Sequence, residues 1–293
     1  MKNILDRIER KLIIKNTFFI KRGAPRIQKS SNKIDLSFSG EDPLFQMTGS
    51  SDKIFKGFSS SMSVLIKISL NSPNPYPAST SKKMLESIVC SLKDIGVKKI
   101  CIGDCSGLMH LPTRKVISKK GFDFLKKYGI RVSVFDYGGW VNIPVNGIYF
   151  KNIILSKSIY RYDKIINLSN LKSHWSAGFT FSTKSLVGFM HPCQRRTLHG
   201  DHLEERIAEL SLAVEPDINI IDGRKIFIDG GPDDGRVASA NTIFINSDLI
   251  EADLKSYDLL LRFKRKHGIK DLDEDPSSNR FFKHFHKIQG VRK

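Results

Sequence analysis

The sequence is short of cysteine: four in 293 residues, at Cys90, Cys101, Cys105 and Cys193. Thiols so few and so widely spaced do not build a disulfide scaffold, and a reducing, cytoplasmic setting is the expectation. No C-x-x-C run occurs, so a cysteine-ligated iron–sulfur cluster has no obvious ligands and none is expected. Long apolar runs are lacking too. Nothing approaches the roughly 18–20 uninterrupted apolar residues of a membrane-spanning helix, so no membrane partner is expected. The opening stretch MKNILDRIERKLIIKNTFFIKRG is broken by charges every few positions and has no small-residue cleavage site, which argues against a secretory leader. Acidic residues are the scarcer sign, 30 Asp and Glu against 48 Lys and Arg, for a formal net charge of +18. That excess favours an anionic partner: nucleic acid, an acidic membrane surface, or a phosphorylated or carboxylated small molecule. A basic surface kept for solubility produces the same figure.

What is present is globular: 40% hydrophobic and 27% charged residues. Residues 1–16 read as a charged amphipathic helix, with Ile4, Ile8, Leu12 and Ile13 at helical spacing. Residues 17–60 are mixed in character. A regular alternation then begins. Strands are predicted at 63–70 (SVLIKISL), 99–103 (KICIG) and 131–135 (RVSVF), with helices at 81–94, capped by Thr80, and at 113–128 between them. Strand, helix, strand, helix, strand is the pattern of a parallel α/β sheet with right-handed crossovers. A second set follows: strands at 149–155, 164–168, 217–221, 225–228 and 242–245, and helices at 204–214 and 249–264. The expected architecture is α/β, with two lobes (61–147 and 148–264), a cleft between them, an N-terminal extension (1–60) and a basic tail (265–293).

Four segments can carry chemistry. Lys67 to Thr80, KISLNSPNPYPAST, runs from a strand into a helix start, where free N–H groups and the helix dipole favour an anion. Lys67, Asn71, Ser79 and Thr80 are its candidate contacts, against a plain proline-stiffened turn. Asp104 and Ser106 lie in GDCSG at the carboxyl end of a predicted parallel strand, where ligands of open α/β sheets gather. The strongest segment is 170–202, NLKSHWSAGFTFSTKSLVGFMHPCQRRTLHGDH. Its Lys172, His174 and Lys184 suit acid/base work or covalent capture by a desolvated amine, Arg196 a substrate contact, and His199 with His202, three apart, a shared metal. A basic loop with solvated histidines is the alternative. Asp222 in IIDG and the acidic, glycine-dense loop 229–235 form the last segment, without the residue order of a calcium loop. The tail interleaves basic and aromatic residues in RFKRK and FFKHFHK, a pattern that suits single-stranded nucleic acid or, alternatively, a solvated tail with an apolar anchor.

In this order the Lys67 strand with NPYPAST, GDCSG, NLKSHWSAGFTFSTKSLVGF, IAEL, IIDG and GGP resemble the domain of unknown function 362 family, over about residues 60–255. Many members of that family carry an attached ferredoxin-like segment. The cysteines of that segment are missing here. A shorter stretch is similar to nickel-pincer lactate racemase: a histidine, a small glycine-rich stretch, a lysine ten residues after the histidine, and a later histidine. There the lysine holds a pyridinium-type cofactor and a histidine ligates nickel. The resemblance implies Lys184 as an anchor, His174 as an acid/base or substrate contact, and His199 as a metal ligand. Together these readings lead to an enzyme of redox or proton-transfer chemistry acting on a small anion. It would use a transition metal or a lysine-linked organic cofactor. The competing expectation is a non-catalytic binder of nucleic acid or a phosphorylated ligand.

Overall fold

The computed structural model describes residues 2–15, 20–27 and 32–290. Its centre is one eight-stranded sheet. The strands are β1 (Asp35–Ser39), β2 (Ser63–Lys67), β3 (Lys99–Asp104), β4 (Arg131–Val134), β5 (Lys164–His174), β6 (Gly178–Thr180), β7 (Ile218–Phe227) and β8 (Val237–Asn246). They lie in the order β1-β8-β7-β5-β2-β3-β4, with β6 folded back on the end of β5. The run β7-β5-β2-β3-β4 is parallel throughout, while β8 and β6 are antiparallel to their neighbours. The α/β expectation is met. The two expected lobes meet within this sheet, where Val64 to Lys67 of β2 pair with Lys164 to Asn167 of β5. β1, from the mixed N-terminal stretch, forms its edge against β8.

Period-two alternation explains how the sheet is covered. Val64, Ile66, Ile100, Ile102, Ile166, Leu168, Ile218 and Ile220 point into one core. Against them pack α2 (Lys82–Asp94), through Met84, Leu85, Ile88 and Leu92, and α3 (Thr113–Lys120), through Val116. Leu65, Cys101, Ile165, Leu171 and Ile221 point to the opposite core. That face is covered by α4 (Ser182–Ser185), α5 (Pro192–Leu198), α6 (Leu203–Glu209), α7 (Leu249–Lys266) and α8 (Arg280–Gly290) with the turns between them.

Several boundaries differ from the sequence reading. Ser81, not Thr80, caps α2, its hydroxyl accepting from Met84 N. The helix expected over 113–128 stops at Gly121, whose φ of +59° is left-handed, and continues as a tighter turn. β5 runs six residues past its expected end at 168, because small polar side chains at Ser169, Asn170 and Ser173 pack fully against neighbouring loops. At the N-terminus a helix is present, Lys2–Lys15, and Ile13 is buried while Ile8 and Leu12 face solvent. The side chain of Ile4 lies outside the described residues.

The basic, aromatic stretch near the C-terminus is part of the core. Phe281, Phe282, Phe285 and Ile288 of α8 are buried against Phe179 and Tyr257. In RFKRK, Lys264 is wholly buried and pairs with Asp271 at 2.7 Å. The three phenylalanines of FFKHFHK, expected to be free for stacking on bases, are therefore packed inside the protein, while the excess of basic residues that also pointed to an anionic partner is unaffected. No helix among the described residues is long and apolar enough to cross a membrane. If α8 is core rather than appendage, Phe282→Ala costs about 3–5 kcal/mol of stability in urea unfolding; an unchanged midpoint contradicts this packing.

Candidate functional site

At the carboxyl edge of the parallel strands lies a cavity of about 370 Å³. β2 and β3 end there in Lys67 and Asp104, and the extension of β5 delivers Lys172 and His174. Behind β6, α4 brings in Lys184 and Ser185, and α5 brings in Arg195, with His199 just beyond its end. The loop holding Pro232 and Asp233 forms the remaining wall.

Each basic group has a different set of partners. The Lys67 amine donates to Ser185 Oγ at 2.8 Å and lies 3.3 Å from Asp104 Oδ1. Burial pushes the Lys67 amine down and the Asp104 carboxyl up, with their mutual attraction working against both shifts. Gly188 makes this pair fit, since a Cβ there would collide with the Asp104 carboxylate and the end of Lys67. Lys172 donates to the carbonyls of Ala78 at 2.5 Å and Pro232 at 2.9 Å. Burial brings its amine down to about 7, partly offset by Asp233, with Lys184 and Lys67 adding to the fall. Arg195 is spread over four carbonyl oxygens, those of Met190, Cys105, Ser106 and Gly188, at 2.7–3.1 Å. It clamps the loops to one another, and its charge faces no carboxylate at ion-pair distance.

Lys184 is the exception. Among the described residues, its half-buried amine makes no hydrogen bond or ion pair. Burial first, then Arg195, lowers it to about 8. Its helix is held from below by Asp253 of α7, whose carboxylate accepts from Ser182 N at 2.7 Å and Thr183 N at 3.1 Å. Burial pushes the Asp253 carboxyl up to about 7.

The two histidines have opposite polarity. His174 Nδ1 accepts from the backbone N–H groups of Ser176 at 3.2 Å and Ala177 at 3.3 Å. Its proton therefore sits on Nε2, as a neutral donor. Burial, with Lys184 and Lys172 nearby, lowers its pKa far below the ordinary range and keeps it neutral. His199, exposed at the rim, donates from Nδ1 to the Arg195 carbonyl at 2.6 Å, which leaves the Nε2 lone pair free to accept. Burial of part of the ring lowers its pKa as well.

Seven of the sequence candidates thus line one cavity: Lys67, Asn71, Asp104, Lys172, His174, Lys184 and His199. The other six do not, and each has a physical reason. Ser79 is tied to the Asn74 carbonyl and to Lys120, and Thr80 accepts from Ser69 N at 2.7 Å, so the α2 start serves its own loop. Ser106 is buried outside the cavity lining, its N–H donating to Thr113 Oγ1 and its carbonyl accepting from Arg195. Arg196 is exposed outside the cavity, where Arg195 takes the inward position. Asp222 accepts from the Tyr76 hydroxyl and pairs with Arg224 at 2.7 Å. His202 opens α6 in a left-handed conformation and stacks on Tyr149 with ring centroids 4.4 Å apart. His199 and His202 thus do not share a helix face, because Gly200 and Asp201 break the chain between α5 and α6. Among the described residues, no three His, Cys, Asp or Glu side chains converge to hold a metal.

The sequence reading offered loop 229–235 as a chemistry-bearing segment without singling out Asp233, and it passed over Asp253. Asp233 accepts from Asn71 Nδ2 at 2.5 Å and lies 3.5 Å from His110 Nε2, latching the loop over the cavity. Gly231, with φ +71°, rests so closely on the Ser173 carbonyl that any Cβ would collide with it. Asp253 carries no local signal, being one acidic residue in a long amphipathic helix.

The family model described as a domain of unknown function (DUF362) matches residues 64–258, which contain every cavity residue named above. The chain belongs to this family. A thylakoid-associated protein of Synechocystis is 27% identical over 117 residues, 38% of this chain and 36% of that protein. The matched stretch thus spans little more than a third of that relative. A Thermotoga maritima protein of known structure superposes with a TM-score of 0.51 at 11% identity, over 78% of this chain and 60% of its own. The lactate racemase apoprotein of Thermoanaerobacterium thermosaccharolyticum gives a TM-score of 0.42 at 13% identity, over 80% of this chain and 61% of its own.

Two outcomes follow from the lysine geometry. Reductive methylation with formaldehyde, read by peptide mass spectrometry across pH, reaches half its maximum at Lys184 near pH 8 in the folded protein; a Lys184 profile unchanged by unfolding in urea contradicts the desolvated site. Asp253→Ala leaves two buried N–H groups of α4 without acceptors and costs about 1–3 kcal/mol, measured by urea unfolding.

Proposed function

We propose that this member of the family is an enzyme that binds a small carboxylate or phosphate in the cavity and moves protons beside it. The observation that carries the reading is the imbalance of charge around an uncommitted amine. Among the described residues, the carboxylates lining the cavity with Lys67, Lys172, Lys184 and Arg195 are Asp104 and Asp233, and the Lys184 amine has no hydrogen-bond acceptor. A bound anion supplies the missing negative charge. It takes hydrogen bonds from Lys184 and from the Nε2–H of neutral His174. Lys172, held by two carbonyls, accepts or returns a proton near neutral pH, because its amine sits close to the protonation midpoint. His199, with a free Nε2 lone pair, is the second base.

The same residues bear on the cofactor that the racemase resemblance implies. Lys184 fits an anchor for an organic group, being the cavity amine with no bond to break among the described residues, and the buried Thr180 hydroxyl lining the same cavity has no partner there either. His199 alone does not fit a protein-only metal site, so a metal here would need donor atoms from such a group. When bound, that group would supply the electron-accepting chemistry that amines and imidazoles lack. Four free cysteines suit a reducing, cytoplasmic setting.

Calorimetric titration with pyruvate and with inorganic phosphate at pH 8, in two buffers of different ionisation enthalpy, tests the reading. The anion favours the charged form of both depressed lysines, so binding takes up protons from buffer. Lys184→Ala removes a charged donor, a loss of about 1.5–3 kcal/mol or roughly tenfold to a hundredfold in affinity. Absence of binding by either anion, or binding without proton uptake, overturns it. Intact mass and metal analysis of protein from its native host, with Lys184→Ala as control, separates a bare lysine from an occupied one.

A further inference from the structure

The cavity is chemically graded from floor to mouth. Its buried lining is polar or charged: Lys67, Asp104, Lys172, His174, Thr180 and Arg195. Its exposed lining is two large apolar side chains, with the His199 ring beside them at the rim. Trp175, in the turn between β5 and β6, is 80% exposed, and Met109, on the short turn Leu108–His110, is 74% exposed. The other tryptophan, Trp140, is 3% exposed and packs edge-on against His191, so the chain buries an indole where nothing else needs it.

The position of Trp175 is fixed by its surroundings. His174 Nδ1 holds the N–H groups of Ser176 and Ala177, which closes the hairpin turn, and Gly178 supplies its left-handed residue. The indole lies at 21° to the His174 ring, with centroids 6.3 Å apart, so the two rings are held nearly parallel. Met109 lines the same cavity, and its exposed thioether is a soft, polarizable contact for an aromatic edge. Inside, the Thr180 hydroxyl, 9% exposed, has no hydrogen-bond partner and lines the same space.

We propose that the anion bound here carries a flat aromatic ring that stacks on Trp175 with its edge against Met109. The inference rests on the anion-binding reading above and extends it to a substrate class. A charged end enters the cavity, and a planar apolar end covers the two side chains left in water at the mouth. An aromatic carboxylate and a nucleotide share this chemistry, and a volume of about 370 Å³ suits the charged end of either with the ring at the opening.

The test pairs each ring-bearing anion with its ringless counterpart: phenylpyruvate with pyruvate, and AMP with ribose 5-phosphate. Wild type, Trp175→Ala and Trp175→Phe are titrated by calorimetry, with quenching of the exposed indole followed in the wild type. Ring stacking on an aromatic side chain is expected to raise affinity by roughly 5- to 100-fold in at least one pair. Trp175→Ala removes that advantage and leaves the ringless anion unchanged, Trp175→Phe keeps part of it, and the pair that responds tells carboxylate from nucleotide. Equal affinities within both pairs, or an advantage that survives in Trp175→Ala, overturn the substrate class while the anion site stands. If no anion of the four binds the wild type, the anion site falls and the substrate class falls with it.

Discussion

Too much positive charge in too dry a place organises this end of the molecule. Four basic side chains converge where the parallel strands end, with two carboxylates to balance them. Full charge on every amine would carry a desolvation cost that the carboxylates do not repay. The structure meets the problem in three ways. Arg195, which cannot lose its proton, is wrapped in carbonyl oxygens. Lys67 is paired with Asp104. Lys172 and Lys184 sit close to neutrality, where small changes in surroundings move a proton.

The backbone around the site serves that arrangement. Carbonyls at Ala78, Cys105, Ser106, Gly188 and Met190 are turned toward Lys172 or Arg195, so the cations tie together the loops and turns that surround the cavity. The extension of β5 has the same origin. Its last residues are too polar to read as strand, yet they are buried because Asn170 reaches the Pro77 carbonyl and Lys172 that of Ala78.

Legibility in the sequence followed the reach of each signal. The parallel strands and α2 were plain because apolar periodicity and caps act within a few residues. The cluster of Lys172, His174, Lys184 and His199 was legible because one continuous segment supplies it, and Lys67 and Asp104 because they end strands. Distant pairings were not legible. Nothing local distinguishes Arg195 from Arg196, or marks Asp253 as the cap of a helix many residues earlier in the chain. In the same way FFKHFHK looks like a tail until its partners, Phe179 and Tyr257, are brought beside it. The expected pair of His199 and His202 failed on a left-handed residue, which spacing alone does not reveal.

The burial of α8 also bears on the order of assembly. Phe179, on the strand that backs the cavity, is packed by Phe281 and Phe282 from the last helix described. A growing chain has made Lys172, His174, Lys184 and His199 before those two rings emerge, and until then Phe179 on β6 lacks their cover. Completion of the pocket is therefore a late, long-range event. The desolvation that lowers the Lys172 and Lys184 amines is a property of the closed cavity, so the depressed amines arrive together with the finished fold.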